Sequence, residues 1–488
     1  MKSKSILQGV EIVEVNILAP GSSTSNNIYS FSEIIYLSHY LKEKGYKVSN
    51  FLLYKDELLS QKELLYNKDN VIILQWDGPE MIKWLDTYSL VDANRTIIFG
   101  ITAQVYGDYI LQDYPYINYV IKSFNYSCVH EALSNKKINI IDYSMEEISV
   151  PDITPLVQNL PIIPIVSSRG CPNRCSFCAV NCNKAINQNY KAKGVDYIIN
   201  EIKEFMSKTK KSMFYFTDSC FVTKDGSSKD RAIEFAKRII EQGLDIRYYI
   251  ETRVDCVDYS VFELLKKSGL RRVLLGIENT HPNVLKRYNK NISTEQIIES
   301  IDILRALKIN IDLTFILFDP FTKQHELLDN LNFILNSGLL EYTDLRGIFR
   351  RLILIPQNQI LDTEQVLKYK ENVTGLPDWI HKSYNYTIID SDIQGIEDFI
   401  CSEMNVWEEV IKYLCKDIKS IFAKRDLKIT LSRLFVMAIK EILMLPNINM
   451  KPHEMTAIFR GYVSSSHLLK KYYEGDVLLC IENILLMK

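Results

Sequence analysis

The chain has little that would suit a membrane, a secreted fold or a nucleic acid. No run of about 18 apolar residues appears, so no transmembrane helix is expected. Met1 to Gln8 has no apolar centre like that of a secretory leader. Lys and Arg number 58 against 60 Asp and Glu, giving a formal charge of −2, with the two signs interspersed. That balance lacks the electrostatic footprint of nucleic-acid binding. Only ten cysteines occur, and the seven outside one short run show no repeating spacing, so neither a disulfide framework nor an auxiliary metal cluster is expected. The expectation is a cytoplasmic protein with no nucleic-acid and no membrane partner.

What is present is the composition of a globular protein, 47% hydrophobic and 24% charged, over 488 residues. At roughly 150 residues per domain this length allows two to four domains. Up to residue 135 short β-like runs alternate with helical stretches. Strands are expected at Val10–Leu18, Val48–Leu53, Val71–Gln75, Thr96–Gly100 and Tyr119–Ile121, and helical connections include Phe31–Lys44, Met81–Tyr88 and Cys128–Leu133. Five such units imply a doubly wound parallel sheet of flavodoxin type, with ligands beyond the carboxyl ends of the strands. A Pro-punctuated linker follows at 136–160.

Ile162–Val166 then delivers the run Ser168-Arg169-Gly170-Cys171-Pro172-Asn173-Arg174-Cys175-Ser176-Phe177-Cys178. Thiolates are the soft ligands of iron–sulfur clusters. Three from one loop fill three corners of a [4Fe-4S] cube and leave the fourth iron open for a small molecule, as open positions mark catalytic metal sites. A zinc site would want a second Cys/His pair, and none lies at useful distance. Cys182 leaves an alternative open: Cys178-x3-Cys182 either supplies a fourth ligand or Cys182 is an ordinary small residue beyond the loop. Further strand–helix units continue to about residue 360, with strands at Met213–Thr217, Ile246–Ile250, Arg272–Ile277, Ile309–Phe318 and Gly347–Ile355. They imply a partial (β/α)6 barrel of TIM type over 161–360, with its chemistry at the strand carboxyl ends. From 361 to 488 the chain reads as mostly helical, with helices expected at Val406–Phe422 and Ile429–Leu445. Trp379, His381, Tyr384 and Tyr386 are a candidate aromatic lining for substrate.

The cysteine loop resembles that of the radical SAM superfamily. The order of the preceding pieces, with Gly100-Ile101-Thr102-Ala103 and Ile121-Lys122-Ser123, resembles the cobalamin-binding domain of one branch of it. That resemblance implies a [4Fe-4S] cluster on Cys171, Cys175 and Cys178, S-adenosylmethionine (SAM) on the open iron, and cleavage of SAM to a 5′-deoxyadenosyl radical. It further implies SAM contacts at Phe177, Asp218, Glu251, Arg253 and Glu278. Arg253 suits the carboxylate of SAM because its planar fork makes two parallel hydrogen bonds. Each of these has a plainer reading as a surface or core-supporting residue. Ser22, Ser23, Trp76, Asp77, Thr102 and Gln104 stand where cobalamin would lie. The Asp-x-His-x-x-Gly motif is missing, so no histidine ligand to cobalt is expected. Cys220, at a strand end, is a candidate hydrogen donor to a substrate radical, or a small buried residue. The implied activity is cobalamin-dependent methyl transfer to an unactivated centre of a small molecule or peptide, fed by a reducing partner such as flavodoxin or ferredoxin. Epimerisation, ring contraction or oxidation by the same radical is the alternative, and a non-catalytic iron–sulfur or cobalamin-binding regulator is another.

Overall fold

Alternation along the first strands sorts their side chains onto two apolar faces. Val15, Ile17, Val71, Ile73, Ile97 and Phe99 share one buried cluster, while Leu18, Ile72, Leu74 and Ile98 share the other. The structure, a computed structural model, describes residues 13–21, 27–75, 78–135, 155–181, 190–362, 364–416, 418–446, 448 and 450–465. Its first unit runs β1 (Glu14–Pro20), α1 (Asn27–Glu43), β2 (Lys47–Leu53), α2 (Lys55–Ser60), α3 (Lys62–Leu65), β3 (Asp69–Ile73), α4 (Glu80–Tyr88), β4 (Arg95–Phe99), α5 (Ile101–Asp113), β5 (Tyr119–Val120) and α6 (Tyr126–Leu133). The strands are parallel in the order β2-β1-β3-β4-β5, the flavodoxin order, with its switch point between β1 and β3.

Gly100 sets the turn from β4 into α5. Its φ is +111°, and a Cβ there would lie 2.5 Å from the Leu74 carbonyl oxygen. Gly100→Ala therefore combines a left-handed backbone with a clash against β3. It is expected to destabilise the protein by about 1–3 kcal/mol, read as a lowered melting temperature.

The second unit begins with α7 (Pro155–Asn159), β6 (Ile163–Ile165) and the paired strands β7 (Ser168–Arg169) and β8 (Lys191–Ala192). It continues with α8 (Val195–Thr209), β9 (Met213–Phe216), α9 (Gly226–Glu241), β10 (Arg247–Arg253), α10 (Tyr259–Lys267), β11 (Leu270–Glu278), α11 (Pro282–Arg287), α12 (Thr294–Ala306), β12 (Asn310–Phe315), α13 (Gln324–Ser337) and α14 (Leu345–Ile348). The parallel order β12-β11-β10-β9-β6 makes an open barrel wall. Tyr248, Ile250, Val273, Leu275, Ile277, Ile311 and Leu313 pack outward in the large core shared with the helices. Their strand neighbours Glu251, Arg253, Gly276, Glu278 and Thr314 therefore face the barrel interior.

The strand expected at Gly347–Ile355 is reduced to one parallel bridge, Phe318 with Arg351. Its start is taken by α14. Arg351 turns its guanidinium away from the ladder, to Glu397 at 2.8 Å and over the Tyr386 ring at 4.2 Å. The sixth barrel position is thus held by a bridge.

α15 (Asp378–Tyr384), α16 (Ser391–Cys415), α17 (Ile421–Leu443) and α18 (Pro452–Ser465) complete the described chain. α16 starts well before Val406, because Asp390 caps it by accepting from the Asp392 and Ile393 amides. The expected aromatic lining is used differently. Trp379 joins the core of the first unit, stacks near Tyr106 and Tyr109, and donates to Asp113 Oδ2 at 2.7 Å. His381 and Tyr386 are buried. Trp379, with Tyr384 packed against the same core, fastens the C-terminal segment to the N-terminal unit, whereas Tyr386 packs with barrel residues. Among the described residues, no helix is long and apolar enough to cross a membrane.

Candidate active site

The cysteine loop leaves β7 at Gly170, whose φ of +78° turns the chain. Other elements clamp it. The Ser176 amide and hydroxyl donate to the Tyr288 and Arg287 carbonyls at 2.9 and 2.8 Å, Asn289 Nδ2 donates to the Arg174 carbonyl at 2.7 Å, and the Ile360 amide donates to the Ser176 carbonyl at 3.3 Å. Cys175 is buried, and Cys171 and Cys178 are partly exposed. Burial raises the Cys175 thiol and pushes Cys178 up to about 12. A hydrogen bond with Cys220, and then burial, raise Cys171.

Positive groups stand beside these sulfurs. Arg253 Nη1 lies 3.2 Å from Cys175 Sγ, and Lys290 pulls the Cys175 and Cys178 thiols down by its charge. Asn173 Nδ2 donates to Cys171 Sγ at 3.4 Å. Among the described residues, no three His, Cys, Asp or Glu groups are placed to hold a single metal ion. A lone ion needs its donors drawn together, whereas three corners of a four-iron cluster need them apart. Soft thiols on one clamped loop with cationic neighbours fit a polynuclear cluster, whose binding displaces their protons.

The other sequence-predicted residues fall into separate networks. Arg253 is committed on every nitrogen: besides Cys175, it holds Asp255 through Nε at 2.9 Å and donates from Nη2 to the Lys290 carbonyl at 2.6 Å. Glu278 ends β11 at φ +67°, a strained conformation for a non-glycine residue. Its Oε1 accepts from Thr314 Oγ1 at 2.9 Å and Lys290 Nζ at 3.3 Å. Phe177 packs on Tyr288 with ring centroids 5.2 Å apart, and the Lys290 ammonium lies 5.8 Å from its ring. Cys171, Cys175, Phe177, Arg253, Glu278 and Lys290 are thus linked through direct contacts and the loop itself.

Asp218 is fully buried and turned toward the entry of the cysteine loop. Its Oδ1 accepts the Ser167 and Ser168 amides at 2.8 and 2.9 Å, and Oδ2 accepts the Ser167 hydroxyl. Glu251 Oε1 accepts from the Tyr29 hydroxyl and, at 2.7 Å, from the Tyr215 hydroxyl. Cys220 is buried and donates to the Val222 carbonyl at 2.9 Å. Its hydrogen bond with Cys171 pulls the thiol down, but the Cys256 thiol and burial outweigh it and push it up to about 12. Thr102 and Gln104 lie buried in the first turn of α5. Ser22, Ser23, Trp76, Asp77 and Cys182 lie outside the described residues.

Sequence reasoning missed the residues that join the two units. α1 packs Ile34, Leu37 and Leu41 against its own sheet, while Ile35 enters the barrel core. From the same helix Glu33 takes a two-pronged ion pair from Arg169, both bonds at 2.9 Å, and Tyr36 donates to Glu201 in the barrel. Arg169 is further enclosed by Tyr126, whose hydroxyl it meets at 2.6 Å, and by the Phe124 ring. The available signal was its place directly before Gly170-Cys171.

Residues 165–334 match the model described as "Radical SAM superfamily". The match covers most of the barrel. In whole-chain architecture the protein is similar to the cobalamin-dependent S-adenosylmethionine radical enzyme OxsB, solved with aqua-cobalamin and SAM bound: TM-score 0.71, 16% identity, 97% of this chain and 84% of that one. It is also similar to the radical SAM methyltransferase TsrM from Kitasatospora setae, with TM-score 0.58 and 14% identity over 71% of this chain and 74% of that one. These likenesses show a shared fold. In sequence it is similar to an uncharacterised methyltransferase of Pyrococcus horikoshii, 26% identical over 39% of this chain and 41% of that protein. A hopanoid C-3 methylase of Methylococcus capsulatus is 27% identical over 32% of this chain and 29% of that protein. The chain spans less than half the length of these curated relatives.

Proposed function

We propose that the protein is a cobalamin-dependent radical SAM methyltransferase acting on an unactivated centre of a small molecule or peptide. The observation that carries the radical reading is the clamped Cys171–Cys175–Cys178 loop with Arg253 against Cys175 Sγ. When bound, the cluster supplies the electron that cleaves SAM, and cobalamin supplies a methyl carrier. The chain's own residues hold and orient. Arg253 and Lys290 neutralise thiolate charge at the loop, Asp218 fixes its entry, and Glu278 with Phe177 lines the adjoining strand end.

The cobalamin reading draws support from the shared architecture with OxsB and from Gln104. Gln104 is 5% exposed, yet among the described residues neither its Oε1 nor its Nε2 has a hydrogen-bond partner. An amide buried this way loses its hydration without recompense unless a ligand supplies the partner. Thr102 and Gln104 would then hold polar arms of the corrin, beyond the carboxyl ends of β3 and β4.

Gln104→Leu tests this with opposite signs. Cobalamin-free protein is expected to gain about 1–3 kcal/mol in stability, because the orphaned amide is gone. Retention of hydroxocobalamin after desalting is expected to weaken by about tenfold, as for a lost hydrogen bond. Unchanged retention counts against the site. For the activity as a whole, reconstituted protein reduced anaerobically with SAM and hydroxocobalamin should release both 5′-deoxyadenosine and S-adenosylhomocysteine. Formation of 5′-deoxyadenosine alone would leave radical chemistry without methyl transfer, and neither product would sink the enzyme reading.

A further inference from the structure

The charged groups of the barrel interior come in pairs, with one exception. Glu278 pairs with Lys290 at 3.3 Å and Arg253 with Asp255 at 2.9 Å. Glu251 faces the same interior from β10, one strand layer below Arg253, and no cation stands beside it among the described residues. Its neighbours are two tyrosine hydroxyls, and both donate to the same oxygen, Oε1. Oε2 accepts no hydrogen bond from any described residue.

The position is also mechanistically placed. Tyr215 comes from the adjacent barrel strand, whereas Tyr29 comes from the first turn of α1, which follows the loop after β1 at the switch point of the N-terminal sheet. The carboxylate therefore sits where the barrel interior meets the N-terminal unit.

We infer that Glu251, steadied by Tyr29 and Tyr215, binds a cationic group of the substrate, an ammonium or guanidinium, at its free Oε2. The inference rests on the radical SAM reading only for the identity of the bound molecule as substrate. An interior carboxylate without a counter-charge is costly to keep. Burial raises the Glu251 carboxyl above its ordinary value; two neutral hydroxyls satisfy one oxygen, and a cation at the other would hold the group ionised with charge-assisted hydrogen bonds. A desolvated carboxyl with no cation beside it among the described residues marks a candidate for function.

The test uses the reconstituted full-length protein and simple probes: n-butylammonium chloride, 1-butanol and sodium butyrate, with sodium chloride as the ionic-strength control. At millimolar concentration the ammonium should raise the melting temperature by about 2 °C or more, and the alcohol and the carboxylate should not. Glu251→Gln, equal in shape and without the charge, should lose that shift. Saturating S-adenosylhomocysteine, present throughout, should leave the shift in place. Three outcomes overturn the proposal: equal shifts from ammonium and alcohol, a shift that survives in Glu251→Gln, or one abolished by S-adenosylhomocysteine, which would make Glu251 part of the SAM site. Should Glu251→Gln fail to fold, the ammonium-over-alcohol preference of the unmodified protein and its persistence with S-adenosylhomocysteine still decide. The probe preference is read without turnover. Absence of 5′-deoxyadenosine would therefore refute the radical reading separately.

Discussion

Alanine at Cys171, Cys175 or Cys178 is expected to bring cluster content from about four irons per chain to less than about one, and SAM cleavage to background. On the proposed assignment each thiol would supply one corner of a three-point attachment. The loop is already clamped by Tyr288, Arg287, Asn289 and Ile360, so it cannot shift to offer another donor. Cys220→Ala is the matched control. Cys220 is equally close to the loop through Cys171 but spends its thiol on the Val222 carbonyl, so its removal should cost stability and spare the cluster. Visible absorbance and iron analysis after anaerobic reconstitution read both results. A single loop variant that keeps its full cluster, or a Cys220→Ala protein that loses it, would overturn the ligand assignment.

The second large effect is expected at Arg169. Its guanidinium is mostly buried, paired with Glu33 through two bonds of 2.9 Å, held by the Tyr126 hydroxyl and covered by the Phe124 and Tyr126 rings at 5.0 and 5.3 Å. Arg169→Met removes the cation and leaves Glu33, 6% exposed, without its counter-charge. Breaking such a pair costs about 3–5 kcal/mol, because the remaining ion stays desolvated. Glu33→Gln with Arg169→Met removes both charges and should recover part of that loss, a coupling that a double-mutant cycle by urea or thermal unfolding measures. Additive losses would show that the pair does not tie the two units together. Because Arg169 directly precedes Gly170-Cys171, the same variant is expected to lower the yield of intact cluster, whereas Arg169→Lys should do so less.

The fold was legible where periodicity is local. The N-terminal strands and helices fall close to their expected positions because alternate residues of each strand must be apolar on both faces of a covered parallel sheet. The reduction of the strand at Gly347–Ile355 was not legible. Its apolar run reads as a strand, but α14 takes its start and pairing survives only around Arg351, whose side chain is held by Glu397 and the Tyr386 carbonyl. α1 misleads for a related reason. It is apolar on one side for its own sheet and mixed on the other for the barrel, and a sequence period cannot say that a helix has two neighbours.

The cysteine loop was fixed by sequence alone, because ligand spacing within eleven residues is local geometry and local chemistry. Tertiary structure decided the roles around it. Asp218 and Arg253 carry charges that suit a bound SAM when read singly, but the fold gives Asp218 to the backbone entering the loop and Arg253 to Cys175 and Asp255. Glu251 becomes distinctive only once every other interior charge has found its partner. Which charges neutralise one another depends on residues as far apart in sequence as Tyr29 and Glu251, and that long-range pairing is set by the packing of one unit on the other.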